Sequence, residues 1–258
     1  MNDVTRHKEA LRALEARYKN APANSIVVVN TYENDVFRTH TYPREHLHRV
    51  AEDWAGSEFD VWTRISVLPE NLNLPPGSRG LERDTLGTCT LWVDLDPDGT
   101  ENWKEEKLAE LRAFRPKPTR IEDSGRGLYA FWEIPWTSDW EWAKRANKWL
   151  AESLRGDHCW DMARVLRLPG TLNPKPGAGW AKTLEANITE HEWSDFDEAS
   201  MSPLEEKVQA SDLQPSPLPF DFEFRLQATN QKLWDRVYSE ESAMQAGAQL
   251  TEDRTRVD

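Results

Sequence analysis

Two aspartates at alternate positions, Asp94 and Asp96, close an apolar segment over 87–96 that is typical of a β-strand. Because side chains alternate between the faces of a strand, both carboxylates project from one face, about 6–7 Å apart. Like charges at that spacing repel each other unless a cation lies between them, and proteins bind Mg²⁺ through one or two carboxylates plus phosphate oxygens. The alternative for this pair is a solvated strand end that leads into a turn.

A glycine-rich turn over 123–127, with the sequence DSGRG, lies between two predicted strands. Its glycines would let backbone N–H groups approach an anion closely, and Ser124 and Arg126 add donors for phosphate oxygens. A tight hairpin that needs positive φ explains the same glycines equally well. The turn matches neither the P-loop pattern GxxxxGK[ST] nor the dinucleotide-binding pattern GxGxxG.

A third polar segment occupies 161–175 and contains an acid, two arginines three residues apart, an asparagine and a lysine: Asp161, Arg164, Arg167, Asn173 and Lys175. Arginines at that spacing can share one helical face and suit forked contacts with phosphate. A helix end with ordinary surface arginines is the alternative. Together, the three segments supply the groups needed for metal-assisted phosphoryl transfer to a nucleotide.

These segments resemble the three motifs of the archaeo-eukaryotic primase superfamily, nearest to the primase-polymerases of phages and plasmids. The similar sequences are LWVDLD (91–96), DSGRGLYAFW (123–132) and DMARVLRLPGTLNPK (161–175), and RGLERD (79–84) is also similar to that branch. The resemblance covers roughly residues 25–190. It implies an α/β (α+β) primase-polymerase catalytic core whose metal-binding half is RRM-like, flanked here by an N-terminal helix and a C-terminal tail.

The resemblance also implies an activity: template-directed nucleotidyl transfer from nucleoside triphosphates onto a primer or an initiating nucleotide, with Mg²⁺ or Mn²⁺ in a two-metal site. The implied catalytic metal ligands are Asp94, Asp96 and Asp161, and Asp157 is the other candidate for the third acid. The implied nucleotide-binding residues are Ser124, Gly125, Arg126, Gly127, Tyr129, Arg167, Asn173 and Lys175. The family usually has a histidine where this chain has Tyr129, and tyrosine carries no positive charge at pH 7.

Apolar periodicity and turn residues predict the elements that would position these groups. The expected helices are 5–19, 43–54, 102–114 and 138–154, the last with Ser138 as its N-cap residue. The expected strands are 25–30, 35–42, 59–68, 87–96 and 181–188, with a strand–turn–strand unit at 119–134. The segment 69–84 reads as a loop with a function or mobility of its own. We expect a catalytic domain over 1–200 and an acidic, proline-containing tail over 201–258 with a weak helix at 230–238.

Composition excludes several classes of protein. The 258 residues include no apolar run long enough to cross a membrane, and two cysteines are too few for a disulfide framework, so we expect a cytoplasmic protein that does not bind membranes. The adjacent His158 and Cys159 are interpreted as a surface or packed pair. The net charge is −13, yet residues 115–182 carry 12 basic and 8 acidic side chains. This basic stretch is the predicted path of a single-stranded DNA template.

Two other functions remain open from the sequence. A catalytically weakened primase fold could bind single-stranded DNA or nucleotide as a replication initiator, and Tyr129 favours this alternative. An unrelated nuclease or phosphatase could use the same acids, although the six histidines are scattered rather than clustered. The expected partners are single-stranded DNA, nucleoside triphosphates and a replicative helicase supplied in trans.

Overall fold

The computed structural model describes residues 3–196, which all lie in the first of the two units into which the chain divides, Met1–Leu204 and Glu205–Asp258. Within them the protein is a mixed α/β molecule built on two antiparallel sheets, as the sequence predicted. The expected tail at 201–258 and its helix at 230–238 lie outside the described residues. None of the helices within 3–196 has the length and apolar character that spanning a membrane requires.

The first sheet has the strand order β2-β1-β3-β8, with the short β4 paired to the free end of β1. Its strands are β1 (Ser25–Glu33), β2 (Val36–Pro43), β3 (Asp60–Arg64), β4 (Leu68–Pro69) and β8 (Val165–Arg167). Helices α1 (Asp3–Arg17) and α2 (Leu47–Trp54) share an apolar core with this sheet. The predicted single strand over 59–68 is wrong, because the chain leaves the sheet after Arg64 and returns only at Leu68.

The second sheet has the order β5-β7-β6-β9 and carries the first two motifs. Its strands are β5 (Thr88–Leu95), β6 (Arg120–Asp123), β7 (Leu128–Thr137) and β9 (Lys182–Ala186). Helices α3 (Trp103–Ala113) and α4 (Trp140–Leu154) pack with this sheet in the larger apolar core. On α4, Asn147 accepts the backbone N–H of Trp92 at 2.9 Å, which satisfies a donor on the edge strand β5.

Helix α4 begins one residue later than the sequence predicted. Its N-cap is Asp139, whose carboxylate accepts the backbone N–H of Trp142 at 2.9 Å. Ser138, the predicted N-cap, contributes only its carbonyl, which accepts from the backbone N–H of Trp140. Aspartate and serine cap equally well, so the sequence offered two neighbouring candidates of similar strength.

One buried guanidinium connects the two sheets. Arg17, at the end of α1, is 1% exposed and donates to Thr63 Oγ1 on β3 at 2.8 Å, to the carbonyl of Arg167 on β8 at 3.3 Å and to the carboxylate of Glu122 on β6. Glu122 is equally buried, and its pKa is raised by burial although Arg17 opposes that rise. Breaking such a pair leaves an uncompensated buried charge, so this contact fixes the two sheets against each other.

Candidate metal centre

Asp94 and Asp96 lie at the end of β5, and the projection of both carboxylates from one face stays a prediction. Asp94 lies opposite Tyr129 of β7 in the antiparallel register and is half-buried, whereas Asp96 follows the strand and is exposed. The pKa of Asp94 is raised to about 7, mainly by burial and in addition by the nearby carboxylates of Asp96 and Asp157. The two acids of the first motif are therefore electrostatically coupled, as a cation-binding pair requires.

The segment after α4 brings two further ligand-type side chains to Asp94. The backbone N–H of Asp157 donates to the carbonyl of Asp94 at 2.9 Å, and the indole N–H of Trp92 donates to the carbonyl of Cys159 at 2.8 Å. Gly156 permits this approach, because an added Cβ would lie 2.9 Å from the carbonyl oxygen of Asp94. As a result, one ligand atom each from Asp94, Asp157 and Cys159 lie within 4.8 Å of one another.

The chemistry of this donor set fits a divalent cation. Among residues 3–196, Asp94, Asp157 and Cys159 form the one group of three such side chains with metal-binding spacing. Burial raises the pKa of Asp157, and the charge of Asp96 adds to that rise. Burial also raises the pKa of the Cys159 thiol to about 12. Carboxylate oxygens suit Mg²⁺ and Mn²⁺, and a cation among them would relieve the repulsion that raises these pKa values.

A basic side chain that the sequence did not assign to the site also acts on this group. The positive charge of Arg164 lowers the pKa of Asp94, Asp157 and Cys159, in each case against the larger effect of burial. Arg164 also forms an ion pair with Asp161 at 2.6 Å. Arg164 lies in irregular chain and Arg167 is the last residue of β8. The two arginines therefore do not share a helical face, and that interpretation of their spacing is wrong.

Asp161, the predicted third catalytic acid, is not a member of the group formed by Asp94, Asp157 and Cys159. Its carboxylate is committed to Arg164, and the backbone N–H of Arg164 also donates to its carbonyl at 3.0 Å. The metal-ligand role of Asp161 therefore stays a prediction, and the geometry favours the alternative that the sequence left open, Asp157.

The glycine turn is the hairpin between β6 and β7, and its own side chains use most of its backbone donors. Gly125 N–H donates to Asp123 Oδ1 and Gly127 N–H donates to Ser124 Oγ, both at 2.9 Å, while Ser124 N–H donates to the carbonyl of Gly127. Gly127 packs against the first motif, because an added Cβ would overlap the carbonyl oxygen of Leu95 and lie 3.1 Å from Asp96 Oδ1. Arg126 is exposed at the tip.

The end of the third motif docks on this turn. Asn173 is 6% exposed, and its side-chain amide donates to the carbonyl of Ser124 at 3.1 Å. Gly179 N–H donates to the carbonyl of Gly125 at 2.7 Å. Lys175, between these two contacts, is exposed. The docking brings the exposed cations Arg126 and Lys175 onto adjoining loops, with Asn173 as the residue that holds the loops together.

Arg167 and Tyr129, two further predicted nucleotide-binding residues, are buried, as Ser124 and Asn173 are. Arg167 is 3% exposed, pairs with the carboxylate of Asp60, donates to the carbonyl of Leu172 at 3.0 Å and lies over the ring of Trp62. Tyr129 is 8% exposed, and burial raises the pKa of its hydroxyl. Both side chains are packed inside the protein next to the site, and their roles in binding nucleotide remain predictions.

Sequence reasoning missed Cys159 and Arg164 as members of the site. The interpretation of His158 and Cys159 as a surface or packed pair fits His158, which is exposed and has its ring 4.7 Å from that of Trp160 between centroids. Cys159 instead faces the two carboxylates. Its position two residues before a predicted acidic ligand, Asp161, was the available signal in the sequence.

No family model matches the chain. A replication protein of Clostridium perfringens is 31% identical over 116 residues, which is 40% of this chain and 27% of that protein. The chain therefore spans about a quarter of the length of this curated relative.

Solved structures give the wider match. The archaeo-eukaryotic primase domain of the cyanophage S-2L primase-polymerase aligns over 72% of this chain and 92% of that domain, with a TM-score of 0.50 and 12% identity. The catalytic domain of primase RepB′ in complex with initiator DNA aligns over 70% of this chain and 87% of that one, with a TM-score of 0.48 and 15% identity. The match to the cyanophage domain shows that the chain has the fold of that domain, which is the fold that the sequence resemblance implied.

Proposed function

We propose that this protein is a primase-polymerase that carries out template-directed nucleotidyl transfer in the replication of phage or plasmid DNA. The observation that carries the proposal is the meeting of Asp94 and Asp157 within 4.8 Å, beside Asp96, on a primase fold. The sequence of the curated relative, a replication protein, supports the same process.

Asp94, Asp96 and Asp157 are the side chains that would hold Mg²⁺ or Mn²⁺, and Asp161 is the other candidate for the third position. When bound, such ions lower the pKa of an attacking 3′-hydroxyl and neutralise charge on the leaving pyrophosphate. On the neighbouring strand, the buried Tyr129 lies opposite Asp94 and limits the access of water to it. Burial there strengthens the attraction between the carboxylates and any cation, because the local dielectric is low.

Substrates would meet the exposed cations on the two docked loops. Arg126 and Lys175 are placed to neutralise a nucleoside triphosphate, and Asn173 and Ser124 keep their loops in register. The basic stretch 115–182 would hold a single-stranded DNA template, chiefly through its phosphates. A replicative helicase acting in trans would expose that template.

A second function is favoured by one observation. Arg167 and Tyr129, which the family resemblance assigns to the nucleotide, are both buried, and Arg167 is already paired with Asp60. A primase fold with fewer free phosphate ligands would bind single-stranded DNA as a replication initiator without synthesis.

Synthesis on single-stranded DNA with labelled nucleotides and Mn²⁺, with and without a primer, separates these functions. We expect labelled products from the native chain and none from Asp94→Ala/Asp96→Ala. The control Glu45→Ala/Glu70→Ala removes the same charge from two exposed side chains of the other half of the molecule and should retain synthesis. A gel shift without products would favour the initiator, and full activity of the aspartate variant would refute the metal site.

A further inference from the structure

The candidate metal centre depends on an irregular segment, residues 155–164, that lies between α4 and β8. This segment carries Asp157, Cys159 and Arg164 and has no ladder of backbone hydrogen bonds of its own. Ligands must be held within about 0.5 Å of their working geometry to function, so side chains elsewhere have to position such a segment. Its first half is fixed to β5 by the contacts of Asp157 and Cys159 described above.

The second half is held at two points: the backbone N–H of Ile65 donates to the carbonyl of Arg164 at 3.2 Å, and side chains hold the peptide group of Met162. The Met162 peptide is the attachment nearer to Asp157 and Cys159. Its backbone N–H donates to Glu82 Oε1 at 3.0 Å, and its carbonyl accepts from Ser66 Oγ at 2.6 Å. The Met162 side chain is fully buried in the larger core. Both polar groups of this peptide are thus satisfied by side chains that lie 80 and 96 residues earlier in the chain.

Each of these two side chains is itself held in place. The other carboxylate oxygen of Glu82 accepts from Lys144 Nζ on α4 at 2.6 Å. Ser66 Oγ accepts from Nε of Arg64, a fully buried guanidinium. Arg64 also donates to the carbonyls of Arg79 and Leu81 at 2.7 and 3.1 Å, so it ties down the loop that presents Glu82.

We propose that Glu82 is a positioning residue for the metal centre, which sets the place of Asp157 and Arg164 opposite Asp94 by holding the Met162 peptide. This inference rests on the proposed function, because it assigns Glu82 a role in cation binding at the same site. Glu82 belongs to the RGLERD segment at 79–84, which is similar to the primase branch in sequence. The inference explains that segment, because one of its side chains holds the backbone that carries the metal ligands. Groups that hydrogen-bond a metal ligand typically change the metal affinity 10- to 100-fold when removed, and because Glu82 acts on the ligand-bearing segment rather than on a ligand, we expect the low end of that range.

Mn²⁺ binding to the full chain, followed by the electron paramagnetic resonance signal of free Mn²⁺, tests this role without an activity assay. We expect Glu82→Ala to weaken the Kd for Mn²⁺ about tenfold while the number of sites per folded chain stays the same. Partial unfolding would instead lower the number of sites and leave the Kd of the remaining sites unchanged. The matched control is Glu70→Ala, an exposed carboxylate on the same loop, with unchanged binding.

A rescue variant isolates the contact that matters. Glu82→Gln/Lys144→Met keeps an oxygen for Met162 N–H and removes the ammonium that would face the new amide nitrogen, so we expect it to recover most of the affinity lost in Glu82→Ala. If Glu82→Ala does not fold, Lys144→Met alone decides: it leaves the bond to Met162 N–H and frees Glu82 only from α4, so it should weaken the Kd by a smaller factor than Glu82→Ala.

Three results would overturn the inference. The first is a folded Glu82→Ala chain that binds Mn²⁺ with native affinity, and the second, if that variant does not fold, is native affinity in Lys144→Met. The third is a rescue variant that binds Mn²⁺ no more tightly than Glu82→Ala. Failure of the proposed function can be distinguished from failure of the role of Glu82, because it is observed with the native chain and needs no variant. A native chain that binds no Mn²⁺ and makes no product refutes the metal site itself, and the role of Glu82 with it.

Discussion

Substitution of Gly127 by alanine should reduce nucleotidyl transfer while the protein still folds. A Cβ at this position would overlap the carbonyl oxygen of Leu95 and lie 3.1 Å from Asp96 Oδ1. The carbonyl oxygen of Leu95 belongs to the backbone and cannot rotate away, and Asp96 belongs to the site itself. The turn and the end of β5 must therefore separate by about half an ångström or more. The displaced group is the acid pair of the first motif.

The size of the effect follows from that displacement. A misplacement of about 1 Å costs about 10²-fold in rate, so half that distance predicts a loss between about 10-fold and 10²-fold, or about 1.4 to 2.7 kcal/mol of activation free energy. The overpacked contact should also lower the free energy of unfolding by about 1–3 kcal/mol. Primer extension at saturating nucleotide and urea denaturation measure the two quantities on the same preparation.

Gly179→Ala is the matched control, because a Cβ there would meet only the carbonyl oxygen of Gly125, at an ordinary 3.9 Å. It adds the same methyl group to the loop docked on the turn and should leave both the rate and the stability near their native values. A Gly127→Ala chain that is folded and extends primers at the native rate would refute the idea that this glycine lets the turn support Asp96.

Three further predictions follow from contacts already described. Arg17→Met should lower the free energy of unfolding by about 3–5 kcal/mol in urea denaturation, because it leaves Glu122 buried without its main partner, and a loss below about 1 kcal/mol would contradict this. Asp157→Asn should weaken Mn²⁺ binding more than Asp161→Asn does, and the reverse order in a direct titration would make Asp161 the third ligand. Arg126→Ala should raise the KM for nucleotide about threefold to tenfold with little change in template binding, and an unchanged KM would remove Arg126 from the triphosphate site.

Local patterns in the sequence were sufficient for most of the elements that frame the site. The apolar run ending in Asp94 formed β5, and the charged, periodic segments at 102–114 and 138–154 formed α3 and α4 within a residue or two. Each of these depends on interactions within one stretch of chain, which periodicity reports directly. The fold class followed from the motif resemblance rather than from the elements alone.

The membership of the metal centre was harder to predict, because it is set by contacts between distant segments. Whether Asp157 or Asp161 faces Asp94 depends on Gly156 packing against β5 and on Glu82 holding Met162, and neither contact leaves a local pattern. Arg167 is a similar case, since its partner Asp60 lies 107 residues earlier. Spacing alone could bring candidate acids into one neighbourhood but could not choose between two that lie four residues apart.

The buried guanidinium at the end of α1 also limits how the two sheets can move against each other. Moving one sheet relative to the other would break the contacts of Arg17 with Thr63 and Glu122 together. It would leave two opposite charges unpaired in an apolar interior. If the proposed synthesis takes place, the exposed loops around Arg126 and Lys175 are the parts that would adjust to a growing duplex, while the two sheets keep a fixed arrangement.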